Sequence, residues 1–292
     1  MSFTKEVKDE ILKNSPSSEY QIKYELEAFF QHTLSFPENN TIMFKSESKI
    51  VTKRFLNDIE LIYGISLDGL FDFSDDVKTT YEFELENEAI FNDALIANSA
   101  SFNPDEMSPE HKKIYIATTF LIAGYILNPE KNYHIEFAFT NNVLANHLKN
   151  CLLDFDIILK SIEKKNLLIL YIKDSEQISN FLGIVNAYNA LLNMENIKIY
   201  KDVRNSINRN VNCETANLKK TINASLKQID AIKKISMLRG LNSLPTQLYE
   251  VAEARLNNQD LNLQELADQL GISKSCINHR FRRIIEIAEE LK

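Results

Sequence analysis

Three helix-boundary signals follow one another closely near the end of the chain, and they constrain the fold more than any other feature. Asn262-Leu263-Gln264-Glu265 has the form of a capping box, in which the first and fourth side chains cap the start of a helix. Gly271 stands where a short helix must stop and where the turn requires a positive φ. Ser273 is a favourable cap for another helix. Two helices joined by a tight turn are therefore expected here.

Residues 240–292 are predicted to form an all-α module of the helix-turn-helix type around this turn. Pro245 is suited to the first position of a preceding helix, and the capping box opens a short helix over Leu263–Leu270. Ala267 is the small residue expected where the two helices touch, and Ile277 is the branched apolar residue that holds the second helix in place. The last helix is expected to continue almost to the end of the chain.

The second helix of such a motif lies in the major groove of DNA, with its N-terminal part facing the base edges. The polar face of this helix is predicted to hold Lys274, Ser275, Asn278, His279 and Arg282. Arginine and asparagine suit paired hydrogen bonds with guanine and adenine edges. Arg280 and Arg283, together with Lys274, are expected to contact phosphates, which position a protein without reading sequence. The alternative is a helical hairpin that packs on a protein partner while its arginines stay solvated.

The formal net charge of −8 is unfavourable for DNA binding, but charge is distributed unevenly along the chain. Residues 1–110 contain 22 acidic and 9 basic residues, whereas residues 196–292 contain 11 acidic and 16 basic residues. The many acidic residues in 1–110 disfavour non-specific DNA binding by that part of the chain. A polyanionic partner is therefore expected to meet the C-terminal third.

Residues 1–196 predict an α+β fold in which one pattern occurs twice. The predicted helices are Thr4–Leu12, Ser18–Phe30, Lys53–Tyr63, Ile114–Ile126, Asn142–Leu153, Ser175–Leu182 and Val185–Leu192. The predicted strands are Thr41–Phe44, Thr80–Leu85, His134–Phe139 and a hairpin of Ile157–Ile162 with Leu167–Ile172. Asn103-Pro104 and Ser108-Pro109 mark a break, so the two halves are expected to be residues 1–105 and 106–196.

Residues 197–239 are predicted to be helices that link the α+β part to the C-terminal module. No proline or glycine occurs from residue 197 to residue 238, and apolar residues recur at helical spacing until Gly240 stops the helix. Arg204 and Arg209 lie in an Arg- and Asn-rich run within this linker. They are candidates for a secondary contact with phosphate or with a partner protein, and a structural role is the alternative.

Five stretches of this sequence form specific motifs: Met1–Thr4, Lys201–Ser206, Val211–Asn217, Ser273–Ser275 and Asn278–Arg280. In these stretches the sequence resembles the WhiA family of bacterial regulators. The resemblance spans essentially the whole chain. It implies a domain like that of the LAGLIDADG homing endonucleases, followed by a helix-turn-helix. It also implies a role in transcription, with sporulation in actinobacteria and cell division or chromosome segregation in Firmicutes. The Asn-, Lys- and Ile-rich composition suits an AT-rich genome and hence the second setting. The sequence departs from the family around Gln31–Phe36, where an Asp-Gly pair is usual.

The same resemblance raises the hypothesis of a nuclease. Homing endonucleases of that fold place two helices side by side, and a carboxylate at the end of each helix holds a divalent metal. Those positions fall on Thr33 and Ala123 here, and neither side chain binds metal as a carboxylate would. His32 is expected to be structural because no carboxylate lies nearby in sequence. The chain is therefore predicted to have no catalytic residues.

Metal and cofactor sites are not indicated elsewhere in the sequence. The acids Asp75-Asp76 and Glu82, Glu84, Glu86 and Glu88 are interpreted as a solvated loop and a strand edge, because a calcium loop needs a different spacing. The three cysteines lack Cys-x-x-Cys spacing, and no Gly-rich phosphate loop occurs. No cofactor is expected.

The sequence therefore predicts a DNA-binding transcriptional regulator of cell division and chromosome segregation whose partner is double-stranded DNA. The alternative is a nucleoid or division scaffold that acts mainly through protein contacts of the acidic N-terminal domain. Lacking an apolar run of about 18 residues or a signal peptide, the chain is expected to be soluble, cytoplasmic and nucleoid-associated. A dimer or a second protein is expected because one helix-turn-helix reads only a short half-site.

Overall fold

The computed structural model describes residues 2–14, 16, 18–36, 41–67, 69, 73, 80–99, 102–103 and 106–291. The acidic pair Asp75-Asp76 lies outside these residues. Two compact units make up the chain, Met1–Tyr200 (unit 1) and Lys201–Lys292 (unit 2). Among the described residues, no helix is long and apolar enough to cross a bilayer.

Unit 1 mixes helices with two antiparallel sheets. Its helices are α1 (Phe3–Lys13), α2 (Glu19–Thr33), α3 (Lys49–Tyr63), α4 (Glu88–Ala97), α5 (Pro109–Ala123), α6 (Asn142–Leu153) and α7 (Ser175–Ile184), and α8 (Tyr188–Leu238) begins in it. Its strands are β1 (Leu34–Ser35), β2 (Ile42–Ser46), β3 (Tyr81–Leu85), β4 (Gly124–Ile126), β5 (Ile135–Phe139), β6 (Lys160–Lys164) and β7 (Leu167–Ile172). The sheets have the orders β1-β2-β3 and β4-β5-β7-β6.

The predicted duplication is visible in the order of these elements. The first half runs α2-β1-β2-α3-β3-α4, and the second runs α5-β4-β5-α6-β6-β7-α7. The second half thus repeats the first, with β6 added at the edge of its sheet. All residues of β6 are exposed, as expected for an added edge strand. The predicted α+β fold with a pseudo-duplicated domain and a helical C-terminal part is therefore confirmed.

Helices α2 and α5 pack side by side at the centre of unit 1. The Tyr115 hydroxyl of α5 donates to Gln31 Oε1 of α2 at 2.8 Å, and Gln31 Nε2 donates to the Ala97 carbonyl at 2.7 Å. Each of the two helices passes directly into a strand, at Leu34 and at Gly124. A Cβ on Gly124 would stand 2.2 Å from the Phe120 ring, so only glycine fits at that junction.

Several predicted boundaries in unit 1 were wrong. The helix predicted over Ile114–Ile126 starts five residues earlier at Pro109, because Ser108 caps it, and gives way to strand β4 at Gly124. The hairpin strand predicted from Ile157 begins only at Lys160. Ile157 and Leu159 are buried and Ile158 is exposed, as in a strand, but the Ile158 amide donates to Gln177 Oε1 at 2.9 Å and pairing with β7 starts only at Lys160.

Helix α4 was not predicted. The Asn87 side chain accepts a hydrogen bond from the Ile90 amide and starts this helix directly after β3 ends at Leu85. Glu86 therefore follows the strand, and Glu88 is the first residue of α4 instead of lying on a strand edge.

Helix α8 replaces the separate helices that the sequence suggested over Val185–Leu192 and beyond residue 197. It is one helix of 51 residues, Tyr188–Leu238. The Glu10 carboxylate caps its start, accepting hydrogen bonds from the amides of Asn189 (2.7 Å) and Ala190 (3.0 Å). No glycine or proline interrupts it until Gly240, whose φ of +78° ends the helical segment as predicted.

Unit 2 contains the C-terminal part of α8, a short 3-10 helix (Leu241–Ser243), α9 (Thr246–Asn257), α10 (Leu263–Gln269) and α11 (Lys274–Glu290). Pro245 is the cap of α9 instead of its first residue. Apolar side chains from all four α-helices form one core, which includes Ile232, Val251, Leu266 and Phe281.

Candidate nucleic-acid interface

Helix α10 begins with the capping box that the sequence predicted. The Asn262 side chain accepts hydrogen bonds from the amides of Gln264 (2.8 Å) and Glu265 (3.1 Å). Glu265 Oε2 in return accepts the Asn262 amide at 2.8 Å. Local sequence alone therefore fixes the start of this helix.

The turn between α10 and α11 also has the predicted form. Gly271 has a φ of +66°, and the Ile272 amide donates to the Ala267 carbonyl at 3.0 Å, which closes the end of α10. Ser273 Oγ then accepts the Cys276 amide at 3.2 Å and starts α11. The turn between the two helices is therefore short, and hydrogen bonds fix the helix end on each side of it.

Apolar contacts hold α11 in place on α9 and α10. Ala267 and Ile277 are completely buried, as predicted, and Phe281 and Ile284 follow them along the buried side of α11. Cys276 on the same helix is only half-buried. The buried side of the helix fixes which side faces solvent.

The solvent side of α11 carries five polar residues that the sequence singled out. Lys274, Ser275, His279 and Arg282 are exposed, and Asn278 is half-exposed. At about 100° per residue they span a sector of about 140° opposite the buried side. Their side chains form no hydrogen bond or ion pair with the other residues that the structure describes. We call this set the α11 polar face; all five side chains are available to a ligand.

The two other predicted arginines lie away from the centre of this face. Arg280 Nη1 donates to the Gln247 carbonyl of α9 at 3.4 Å, and the side chain is half-buried. Arg283 Nη1 lies 2.8 Å from Glu286 Oε2, and this carboxylate raises the pKa of Arg283. Both side chains lie outside the α11 polar face, and their assignment to phosphates stays a prediction.

Arg255 is a further charged residue of this module, and sequence reasoning missed it. It is 1% exposed, yet no carboxylate forms an ion pair with it in the described part of the chain. Its Nε donates to Gln228 Oε1 at 3.1 Å and its Nη1 donates to the Leu261 carbonyl at 2.6 Å. Its place on the apolar face of α9, beside Val251 and Ala252 in the helical repeat, was the available signal.

Arg204 and Arg209, which the sequence grouped together, lie on different sides of α8. Both are exposed. Five positions of a helix correspond to a rotation of about 140°, so one flat ligand cannot contact both through the same face. The structure therefore separates these two candidates.

In unit 1, the helix ends proposed for metal binding in a nuclease carry no carboxylate. Thr33 is the last residue of α2, and its hydroxyl donates to the Phe29 carbonyl at 2.7 Å; Ala123 is the last residue of α5. Beside Thr33, His32 Nε2 lies 3.2 Å from Thr119 Oγ1, and burial lowers the pKa of His32 to about 4. Among the residues that can be described, no three His, Cys, Asp or Glu side chains converge as metal ligands.

Comparison with known proteins agrees with this architecture. The model of the WhiA C-terminal helix-turn-helix domain matches residues 207–288, and that of the WhiA LAGLIDADG-like domain matches residues 112–204. The probable cell division proteins WhiA of Clostridium tetani and of a Thermoanaerobacter species are each 37% identical, over 100% of this chain and 98% of theirs. The crystal structure of full-length WhiA from Thermotoga maritima has a TM-score of 0.63 and 27% identity, covering 100% of this chain and 99% of that one.

The fold and the site thus define a protein with a LAGLIDADG-like domain and a helix-turn-helix domain. The chain belongs to the WhiA family, whose similar members are described as probable cell division proteins.

Proposed function

We propose that this protein is a non-catalytic regulator that binds double-stranded DNA through the α11 polar face and acts on transcription in cell division and chromosome segregation. The main support is that five polar side chains on one exposed side of α11 are free of partners within the described structure. Three of them, Asn278, His279 and Arg282, have the donors and acceptors that base edges require. The cytoplasm, in association with the nucleoid, is the proposed location.

The positions of the side chains on α11 determine which of them we assign to base edges and which to phosphates. Asn278 and Arg282 lie one turn apart near the middle of the exposed side, so we assign them to base edges. Arg280 and Arg283 flank that side, and Lys274 stands at the helix start, so we assign these three to phosphates. Ser275 and His279 complete the base-facing set.

Two observations support a non-catalytic role. Helices α2 and α5 pair as the resemblance to homing endonucleases implies, but they end in Thr33 and Ala123, which offer no carboxylate for a metal. His32 is half-buried beside Thr119, and among the residues that the structure describes no group of three His, Cys, Asp or Glu side chains could hold a metal ion. A nuclease of this fold would need carboxylates at the ends of α2 and α5.

A scaffold that acts mainly through protein contacts is the second candidate, and the acidic residues 1–110 are the observation that favours it. In that case DNA binding would be weak and independent of sequence, and a protein would bind unit 1. A dimer or a second protein remains the proposed means of extending the short half-site.

The test is a selection of sheared genomic DNA by the full-length protein in excess competitor DNA, with and without Mg²⁺. The proposal predicts that a few fragments are retained and stay intact. If competitor DNA releases all fragments equally, the result would favour the scaffold. Nicking of the fragments that depends on Mg²⁺ would contradict the non-catalytic role.

A further inference from the structure

Helix α8 is exposed along residues 202–224 without a break, although it continues into the core of unit 2. A surface helix normally buries an apolar stripe and gains support from pairs of opposite charges one turn apart. Between residues 202 and 227, no ion pair occurs in the described structure. Neither a buried apolar stripe nor ion pairs therefore accounts for the residues on the surface of this segment.

One side of this segment is rich in amides and cations. Asn205, Asn208, Arg209, Asn212, Lys219, Asn223 and Lys227 follow one another at intervals of mostly three or four residues, and Arg209 adjoins Asn208. They lie within a sector of about 100° around the helix. We call this set the α8 amide–cation stripe. No acidic residue occurs within that sector between Asn205 and Lys227.

Another side of the segment, centred about 130° around the helix from the stripe, is apolar. It carries Val203, Ile207, Val211, Leu218 and Ile222, each about half exposed, and the equally exposed Leu226 lies at the edge of the stripe. Arg204 borders this apolar side instead of the stripe. Arg204 and Arg209 thus lie on the same helix and are both exposed and positively charged. Their neighbours on the helix surface differ.

The chemistry of the stripe fits one class of ligand. Asparagine amides donate to phosphate oxygens, and exposed Lys and Arg that lack a carboxylate partner gain the most from releasing the counterions of DNA. From Asn205 to Lys227 the stripe is about 33 Å long, since a helix rises about 1.5 Å per residue, which is close to one turn of duplex DNA. An apolar partner would instead select the apolar side.

We propose that the α8 amide–cation stripe is a second DNA-contacting surface, which binds the phosphate backbone without reading sequence. This inference rests on the proposed DNA-binding function and adds to it. Arg209, Lys219 and Lys227 each neutralise a phosphate there, and Arg204 does not.

The test compares Arg209→Gln with Arg204→Gln in the full-length protein. Affinity for a 40-base-pair duplex of random sequence is measured across a series of salt concentrations. Each lost phosphate contact lowers the slope of log K against log salt by about 0.9. Arg209→Gln is expected to lower it by about 0.9 and the triple variant with Lys219→Gln and Lys227→Gln by about 2.7, whereas Arg204→Gln leaves it unchanged.

Two further measurements separate this inference from the proposed function. Circular dichroism is expected to give the same helix content for all variants, because glutamine is a good helix former. The triple variant is expected to retain the same genomic fragments as the wild type, only more weakly. Equal slopes for Arg209→Gln, Arg204→Gln and the wild type, with DNA binding intact, would overturn this inference alone. If the wild-type protein binds no duplex DNA, both this inference and the proposed function are overturned.

Discussion

The guanidinium carbon of Arg255 lies 5.3 Å from the centre of the Phe281 ring, so a buried cation of α9 rests on the helix that carries the α11 polar face. Cation–π contacts of this kind are stronger where water is excluded. Burial lowers the pKa of Arg255, but an arginine remains charged at neutral pH. The orientation of α11 thus depends on a charged residue that never reaches the surface.

Replacing Arg255 is therefore expected to weaken the module without touching DNA. Arg255→Met leaves Gln228 Oε1 and the Leu261 carbonyl without their donor, which is expected to cost about 3 kcal/mol. Hydrogen exchange in the full-length protein should become faster throughout α11 and stay unchanged in α5, which serves as an internal control. Unchanged exchange in α11 would show that Arg255 is dispensable.

Gly271 offers a test of the turn geometry. Nothing lies within 4 Å of a Cβ added there, so Gly271→Ala introduces only the backbone strain of a residue at a φ of +66°. The expected loss is about 1 kcal/mol. Gly183 of α7 also has free space around it but no positive φ, so Gly183→Ala should be neutral or slightly stabilising. Thermal unfolding of both variants checks this, and equal effects would contradict the strain argument.

Glu25, Arg54 and Asp58 form a buried cluster in unit 1 in which one cation serves two carboxyl groups. Arg54 Nη2 lies 2.6 Å from Glu25 Oε2, and Arg54 Nε lies 3.4 Å from Asp58 Oδ1. Burial, and then the charge of Glu25, raise the pKa of Asp58 to about 8. Arg54→Met should cost about 3–5 kcal/mol, because it leaves a buried carboxylate unpaired.

Asp58→Asn should have a different, pH-dependent effect. Since the folded-state pKa of Asp58 lies above its unfolded value of 3.8, its contribution to stability is complete below about pH 4 and is lost as the pH rises through 8. The asparagine does not ionise, so the variant should gain stability relative to the wild type between pH 5 and pH 8.5. Urea unfolding at these two pH values measures the difference, and a constant difference would contradict the raised pKa.

His32 should make unit 1 sensitive to acid. Burial, and then the nearby His147, lower its folded-state pKa from 6.5 to about 4, so unfolding takes up a proton between these values. Stability is complete above pH 6.5 and falls by about 3 kcal/mol as the pH drops to 4. His32→Gln should remove most of this loss, whereas His134→Gln, at a partly exposed position, should not. Parallel stability–pH profiles for the two variants would contradict this role of His32.

Features set by neighbouring residues were predicted from sequence. The capping box at Asn262, the turn at Gly271 and the cap at Ser273 each act over a few residues, and all three occur in the structure. The polar face of α11 follows from the same local periodicity. The sequence therefore predicted the helices and the turn on which the candidate site lies.

Features that depend on distant residues were missed. Glu10 caps α8 across 179 positions of sequence, and Arg255 finds its partner Gln228 on another helix, 27 positions away. No local pattern specifies such contacts, because they exist only once the chain has folded.

The most direct test of DNA reading by α11 is a specificity ratio, measured as the affinity for a retained genomic fragment divided by that for random duplex at one salt concentration. Arg282→Ala is expected to lower this ratio about 10- to 100-fold, because a paired contact with a base contributes about 1–3 kcal/mol of discrimination. Arg283→Ala, which removes a charge one residue away, should weaken both affinities alike and keep the ratio. An unchanged ratio for Arg282→Ala would contradict the assignment of α11 as the helix that reads DNA sequence.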